Sequence, residues 1–148
     1  MLVRFKSKIK KSLEDICQGY FAYDEKNRLQ LVTEERINFG DHDLIGLVDM
    51  QTGELAFYGP KSQWYESSTI SVTIPSDKEE NIETDADDPV LPGLVVKLEN
   101  DAEPCIKSKE PTDDRYNDQY FYGIYSGRRK RIIGKNRITV CHEAVITI

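Results

Sequence analysis

Residues 93–126 read GLVVKLENDAEPCIKSKEPTDDRYNDQYFYGIYS, and residues 19–49 read GYFAYDEKNRLQLVTEERINFGDHDLIGLVD. Each stretch opens with a glycine and an apolar run, crosses a polar turn into a second short strand, passes a loop, and ends in an apolar strand interrupted by glycine. Gly19 answers to Gly93 and Gly46 to Gly123. The spacings are 27 and 30 residues, which predicts a difference of three residues placed in a loop. The reading is a chain made of two copies of one β module, with sub-modules 1–66 and 67–148 in a single domain. The repeat extends outward. An alternating strand precedes each first glycine, at 3–9 and 70–74, and another strand follows each module, at 55–58 and 138–140.

Working outward, Val3, Phe5, Ser7 and Ile9 alternate with Arg4, Lys6, Lys8 and Lys10, the period of a strand with one apolar and one basic face. A helix also fits, with Phe5, Ile9, Leu13 and Ile16 on one stripe, but the strand to about Ile9 is the preferred reading. Ser12 and Asp15 resemble a capping pair and predict a short helical turn over 12–17. Strands are expected at 20–23, 29–32, 44–48 and 55–58, with the Thr52-Gly53 turn reversing the chain before the last. Ile70, Val72 and Ile74 alternate cleanly. Strands resume at 94–98, 120–125, 137–140 and 144–148, with a basic hairpin tip over 128–135. Residues 75–92, containing SDKEENIETDADD between prolines, lack apolar periodicity and read as an exposed acidic connecting loop. No helix longer than two turns is expected. The class is all-β: an antiparallel sandwich or barrel-like domain.

Composition agrees with a packed domain. Of 148 residues, 39% are apolar and 31% charged, enough to bury a core. The longest apolar run is four residues, against the roughly 20 that span a bilayer. The net charge is −6 but segregated, with basic residues over 1–11 and 128–137 and acids over 76–103. Such segregation suits either solvated faces or electrostatic steering of partners. The cysteines, Cys17, Cys105 and Cys141, are odd in number and form no CxxC pair, which predicts reduced thiols.

The glycine-framed strings resemble those of bacteriophage tail-fibre and tailspike proteins. They are most similar to the trimeric intramolecular-chaperone modules and to related virion attachment or decoration modules. Gly19-Tyr20-Phe21, Leu44-Ile45-Gly46-Leu47-Val48, Gly93-Leu94-Val95-Val96 and Tyr122-Gly123-Ile124-Tyr125-Ser126 carry the likeness. The resemblance implies a structural, non-enzymatic virion protein assembled in the host cytoplasm. It also implies a homo-oligomer, a trimer in that family, bound to other capsid or tail proteins. No matching nucleophile motif is present, so autocleavage is not carried over.

Chemistry offers little in the sequence. Asp41-His42-Asp43 and Cys141-His142-Glu143 each fall short of the three or four ligands of a metal site. On a strand Cys141 and His142 face opposite sides and do not pair as nucleophile and base. Asp85, Asp87 and Asp88 begin like a calcium loop, but Val90 and Val96 stand where Gly and Glu are needed. No catalytic, metal or cofactor site is expected. The candidate binding residues are Arg128, Arg129, Lys130, Arg131, Lys135 and Arg137, with Trp64 and Tyr65 as aromatic anchors. The basic group suits the rim of a protein interface, or an acidic surface on a neighbouring subunit such as residues 77–88 of the next copy. The second reading is a small nucleic-acid-binding β-barrel in which that group engages phosphates and nearby tyrosines stack on bases. Nucleic acid is the weaker expectation, given a pI near 5.

Overall fold

A computed structural model describes residues 9–68, 71–109 and 118–148, and these form an all-β protein. The first half contains β1 (Lys11–Ser12), β2 (Phe21–Tyr23), β3 (Leu29–Phe39), β4 (His42–Asp49), β5 (Leu55–Tyr58), β6 (Gln63–Ser67) and β7 (Ser71–Thr73). The second contains β8 (Glu79–Thr84), β9 (Val95–Leu98), β10 (Pro104–Lys107), β11 (Gln119–Gly123), β12 (Arg129–Ile132), β13 (Asn136–Cys141) and β14 (Val145–Thr147). A single 3-10 turn, Leu13–Asp15, stands where helix was expected; Ser12 precedes it without a side-chain cap. The strand expected over 3–9 lies almost wholly outside the described residues.

Two antiparallel six-stranded sheets carry the same strand order. The first runs β1-β6-β2-β3-β4-β5 and the second, from the matching edge, β8-β13-β9-β10-β11-β12. Registers agree as well. Phe21 opposes Leu31 as Val95 opposes Ile106, and Val48 opposes Leu55 as Tyr122 opposes Arg129. The remaining pair, β7 with β14, sets Val72 opposite Ile146, Ser71 opposite Thr147 and Thr73 opposite Val145. Exchanging the halves maps this ladder onto itself, so a pseudo-two-fold axis passes through the Val72–Ile146 pair. The topological boundary therefore falls after β7, near residue 74, and not between 66 and 67.

The register also corrects the glycine pairing. Val48 matches Tyr122 and Leu47 matches Phe121, so Gly123 matches Asp49 and Gly46 matches Tyr120. Gly19 does match Gly93; both have φ of 88°. Each presses against the β-turn of the opposite module. A Cβ on Gly19 would strike the Tyr125 carbonyl oxygen, and one on Gly93 the Gln51 carbonyl oxygen. Only glycine meets both demands, the left-handed backbone and the empty space. The amides of these two glycines donate to Val32 O and Lys107 O respectively, at 2.8 and 2.9 Å. The repeat is therefore cross-braced: each module's turn closes on the start of the other.

Alternation divides the side chains among three cores. A central core between the modules draws on both halves, with Phe21, Leu31, Val48 and Met50 against Ile106, Tyr122, Ile124 and Ile146. The opposite sheet faces curl around separate outer cores, Leu13, Ala22, Val32 and Leu47 in one and Val96, Cys105, Phe121 and Val140 in the other.

The acidic connecting loop is also corrected. Its middle is the edge strand β8, paired with β13 from Asn136↔Thr84 to Cys141↔Glu79. The apolar period is missing because β8 is an edge strand and faces water on most sides; charges suit such an edge by discouraging pairing with other chains. Ile82, the one large apolar side chain in it, turns toward the second outer core.

Candidate functional site

The hairpin of β3 and β4 does more than form the sheet. After Val32, opposite Leu47, the register slips, and pairing resumes at Arg36, opposite Ile45. Thr33 pins this bulge: its hydroxyl donates to Gly46 O at 2.7 Å and accepts from the Glu35 amide at 3.1 Å. Arg36 closes it from the other side, Nη1 donating to Thr33 O at 2.7 Å and Glu35 O at 2.8 Å. The bulge sets Glu35 over Gly46, whose missing side chain leaves room for Glu35 Cβ, Phe57 and Leu55. Bulges re-aim side chains in this way.

A cavity of about 240 Å³ opens there, between the two modules. Leu55 and Phe57 of β5 and Glu35 of β3 line one side. Ser108, Lys109, Tyr120, Tyr122 and Arg129 line the other. Leu55 and Arg129 are equivalent positions of the repeat, so the cavity lies close to the pseudo-axis. The Arg129 guanidinium lies 5.7 Å from the Tyr120 ring centre, and its Nε is 3.6 Å from Glu35 Oε1. Burial, and then the Glu35 carboxylate, push the Tyr122 hydroxyl well above its ordinary range, so it stays a neutral wall of the cavity.

Beyond the bulge the hairpin continues as an arm. Ile37 opposes half-buried Leu44, and Phe39 opposes His42, with ring centres 6.2 Å apart. Opposed residues share a face, and this one is the face of Gly46 and the cavity. Phe39 is 66% and Ile37 45% exposed. Gly40, with φ of 71°, turns the tip, which carries Asp41, His42 and Asp43.

The predicted basic group divides: Lys130, Arg131 and Arg137 line one shallow pocket beside Asp101, while Arg129 lines the cavity between the modules. Arg131 Nε lies 3.2 Å from Oδ2 of buried Asp118, and Lys135 and Arg137 approach Glu83 at 3.6 and 3.7 Å. The acidic and basic segments thus meet within one chain. Lys130 Nζ reaches Asp101 at 2.6 Å and Glu103 at 3.1 Å. Burial alone would raise both carboxyls, but hydrogen bonding, from Lys130 to Asp101 and from Ser126 and Lys130 to Glu103, outweighs it and holds them below their ordinary values. Arg128 is exposed at the turn before β12. Trp64 and Tyr65 lie on opposite faces of β6. Trp64 packs edge-on to Tyr58 and donates to Ser62 Oγ at 2.9 Å; Tyr65 stacks on Tyr23 at 5.2 Å. Both are half-buried supports of cores.

The His motifs separate. His42 bonds Asp41, and His142 reaches Glu80 at 3.0 Å while Cys141 faces the interior. Burial pushes the Cys105 thiol up to about 12 and raises Cys141 as well. Among the described residues no group of three or more His, Cys, Asp or Glu side chains is arranged to hold a metal.

Sequence reading missed the arm and the cavity. The signal for the arm was present: Ile37 and Phe39 alternate up to Gly40 and resume at Leu44. Comparison with protein families, curated proteins and solved structures finds no match to this chain.

Proposed function

We propose that this chain is a non-enzymatic assembly module that self-associates and binds neighbouring proteins. The resemblance of its glycine-framed strands points to a virion as the setting, with capsid or tail proteins as neighbours and the host cytoplasm as the place of assembly. One observation carries the assembly reading: Ile37 and Phe39 stand exposed on an arm that runs past the bulge, on the same face as an apolar cavity. Grouped exposed apolar side chains rimmed by charge mark interaction surfaces. Aromatic side chains are the usual anchors of such surfaces.

The nucleic-acid reading has less support. Five of the six basic residues have carboxylate partners within the chain, which lowers the charge available to phosphates.

Sedimentation at rising concentration, beside titration of a labelled oligonucleotide at low salt, tests the choice. The expected result is concentration-dependent association that Ile37→Ser weakens, and little oligonucleotide affinity. A chain that stays monomeric and binds the oligonucleotide with a steep salt dependence would overturn the proposal.

A further inference from the structure

Resting on the assembly reading, we infer that the junction cavity receives the arm of a second copy of this chain. Phe39 of one copy seats between Phe57 and Tyr120 of the other, with Asp41 beside Lys109.

Size permits it. The cavity measures about 240 Å³, and a cavity of about 150 Å³ already holds benzene. Charge favours it. The tip offers the exposed carboxylate of Asp41, and the cavity mouth offers exposed Lys109, while Arg129 is shared with Glu35. Such complementarity sets orientation and partner choice.

A chain cannot fill its own cavity in this way. Glu35 in the cavity wall and Phe39 at the tip are on one continuous strand, about 13 Å apart at about 3.3 Å per residue. Bringing Phe39 back would break the β3–β4 ladder. Because arm and cavity share a face, two copies laid face to face in opposite directions can each place a tip in the other's cavity. The contact is then reciprocal and closes with two copies. A threefold assembly would need a head-to-tail contact instead.

The test uses the whole chain and two variants, Phe39→Ser at the tip and Phe57→Glu in the cavity. Light scattering after size exclusion reads the mass, and far-ultraviolet circular dichroism checks the fold. The wild-type chain should be a dimer. Each variant should be folded and monomeric: both copies carry the change, so two aromatic anchors are lost per dimer, each weakening association about thirtyfold or more. An equimolar mixture of the two should form a dimer with one copy of each, since one intact tip then meets one intact cavity. Asp41→Lys alters only an exposed side chain and should weaken the same dimer without touching the fold.

A dimer that survives Phe39→Ser with its fold intact would overturn the inference and leave the assembly reading standing. A monomeric wild type would overturn both the inference and self-association. A stable trimer, or a mixture that remains monomeric, would overturn the reciprocal contact.

Discussion

Asp49 and Gly123 occupy the same place in the two modules and solve one problem in different ways. In the first turn Asp49 Oδ1 accepts from the amides of Gln51 and Thr52, at 2.8 and 3.0 Å. In the second, the equivalent amides of Tyr125 and Ser126 donate to Glu103 Oε1, at 3.2 and 3.1 Å. Glu103 reaches them from the neighbouring turn, through the space that Gly123 leaves; a Cβ there would collide with its carboxylate. Glycine is thus a packing requirement here and not a flexibility one. Gly123→Asp alone should destabilise the fold by about 2 kcal/mol, the ordinary range for overpacking. Adding Glu103→Ala should recover most of that loss, because the new Asp can cap the turn as Asp49 does. Urea unfolding of the four members of the cycle checks this, and additive losses would refute the substitution of one cap for the other.

At the scale of elements, the segments that looked like a free acidic loop and a free basic tip hold strands β8 and β12 at opposite edges of the second sheet, β8 paired with β13 and β12 with β11. The two groups of ion pairs differ in weight. Lys135 and Arg137 meet Glu83 in solvent, and pairs of that kind contribute about 0–1 kcal/mol. Arg131 is different, because its partner Asp118 is 3% exposed and the other oxygen, Oδ1, has no partner among the described residues. Removing the guanidinium would leave a buried carboxylate without its cation. Arg131→Ser should therefore cost about 1–3 kcal/mol, whereas Arg128→Ser, at an exposed turn, should fall within about 0.5 kcal/mol of the wild type. Thermal unfolding of the two variants side by side gives the comparison. Equal midpoints would remove Arg131 from the framework of the fold and return it to the surface.

For the whole molecule, the central core decides how the halves behave. Among the described residues it contains eleven buried side chains, from both modules. At about 1.5–3 kcal/mol for each buried side chain, separating the modules forfeits more than the 5–15 kcal/mol by which a domain is typically stable. Neither half should fold alone, although each repeats the same strand order. Unfolding followed by Trp64 fluorescence, which reports the first module, should coincide with unfolding followed by far-ultraviolet circular dichroism, which reports both. Two separated transitions would show that the outer cores suffice without the central one.

Local chemistry was enough to read the β class, the turn at Thr52-Gly53 and the shared strand order of the two halves, because a period of two and glycine punctuation are properties of neighbouring residues. Gly19 and Gly93 could be matched for the same reason. The match of Gly123 with Asp49 could not, since it depends on which residues face each other across the β3–β4 and β10–β11 ladders, and on a carboxylate arriving from another turn. β8 escaped notice because an edge strand buries little and so needs little apolar pattern. The pairing of Arg131 with Asp118 and the cavity at the module junction needed tertiary structure as well. Both are made by side chains far apart in the chain, brought together by the pseudo-two-fold packing of two similar sheets.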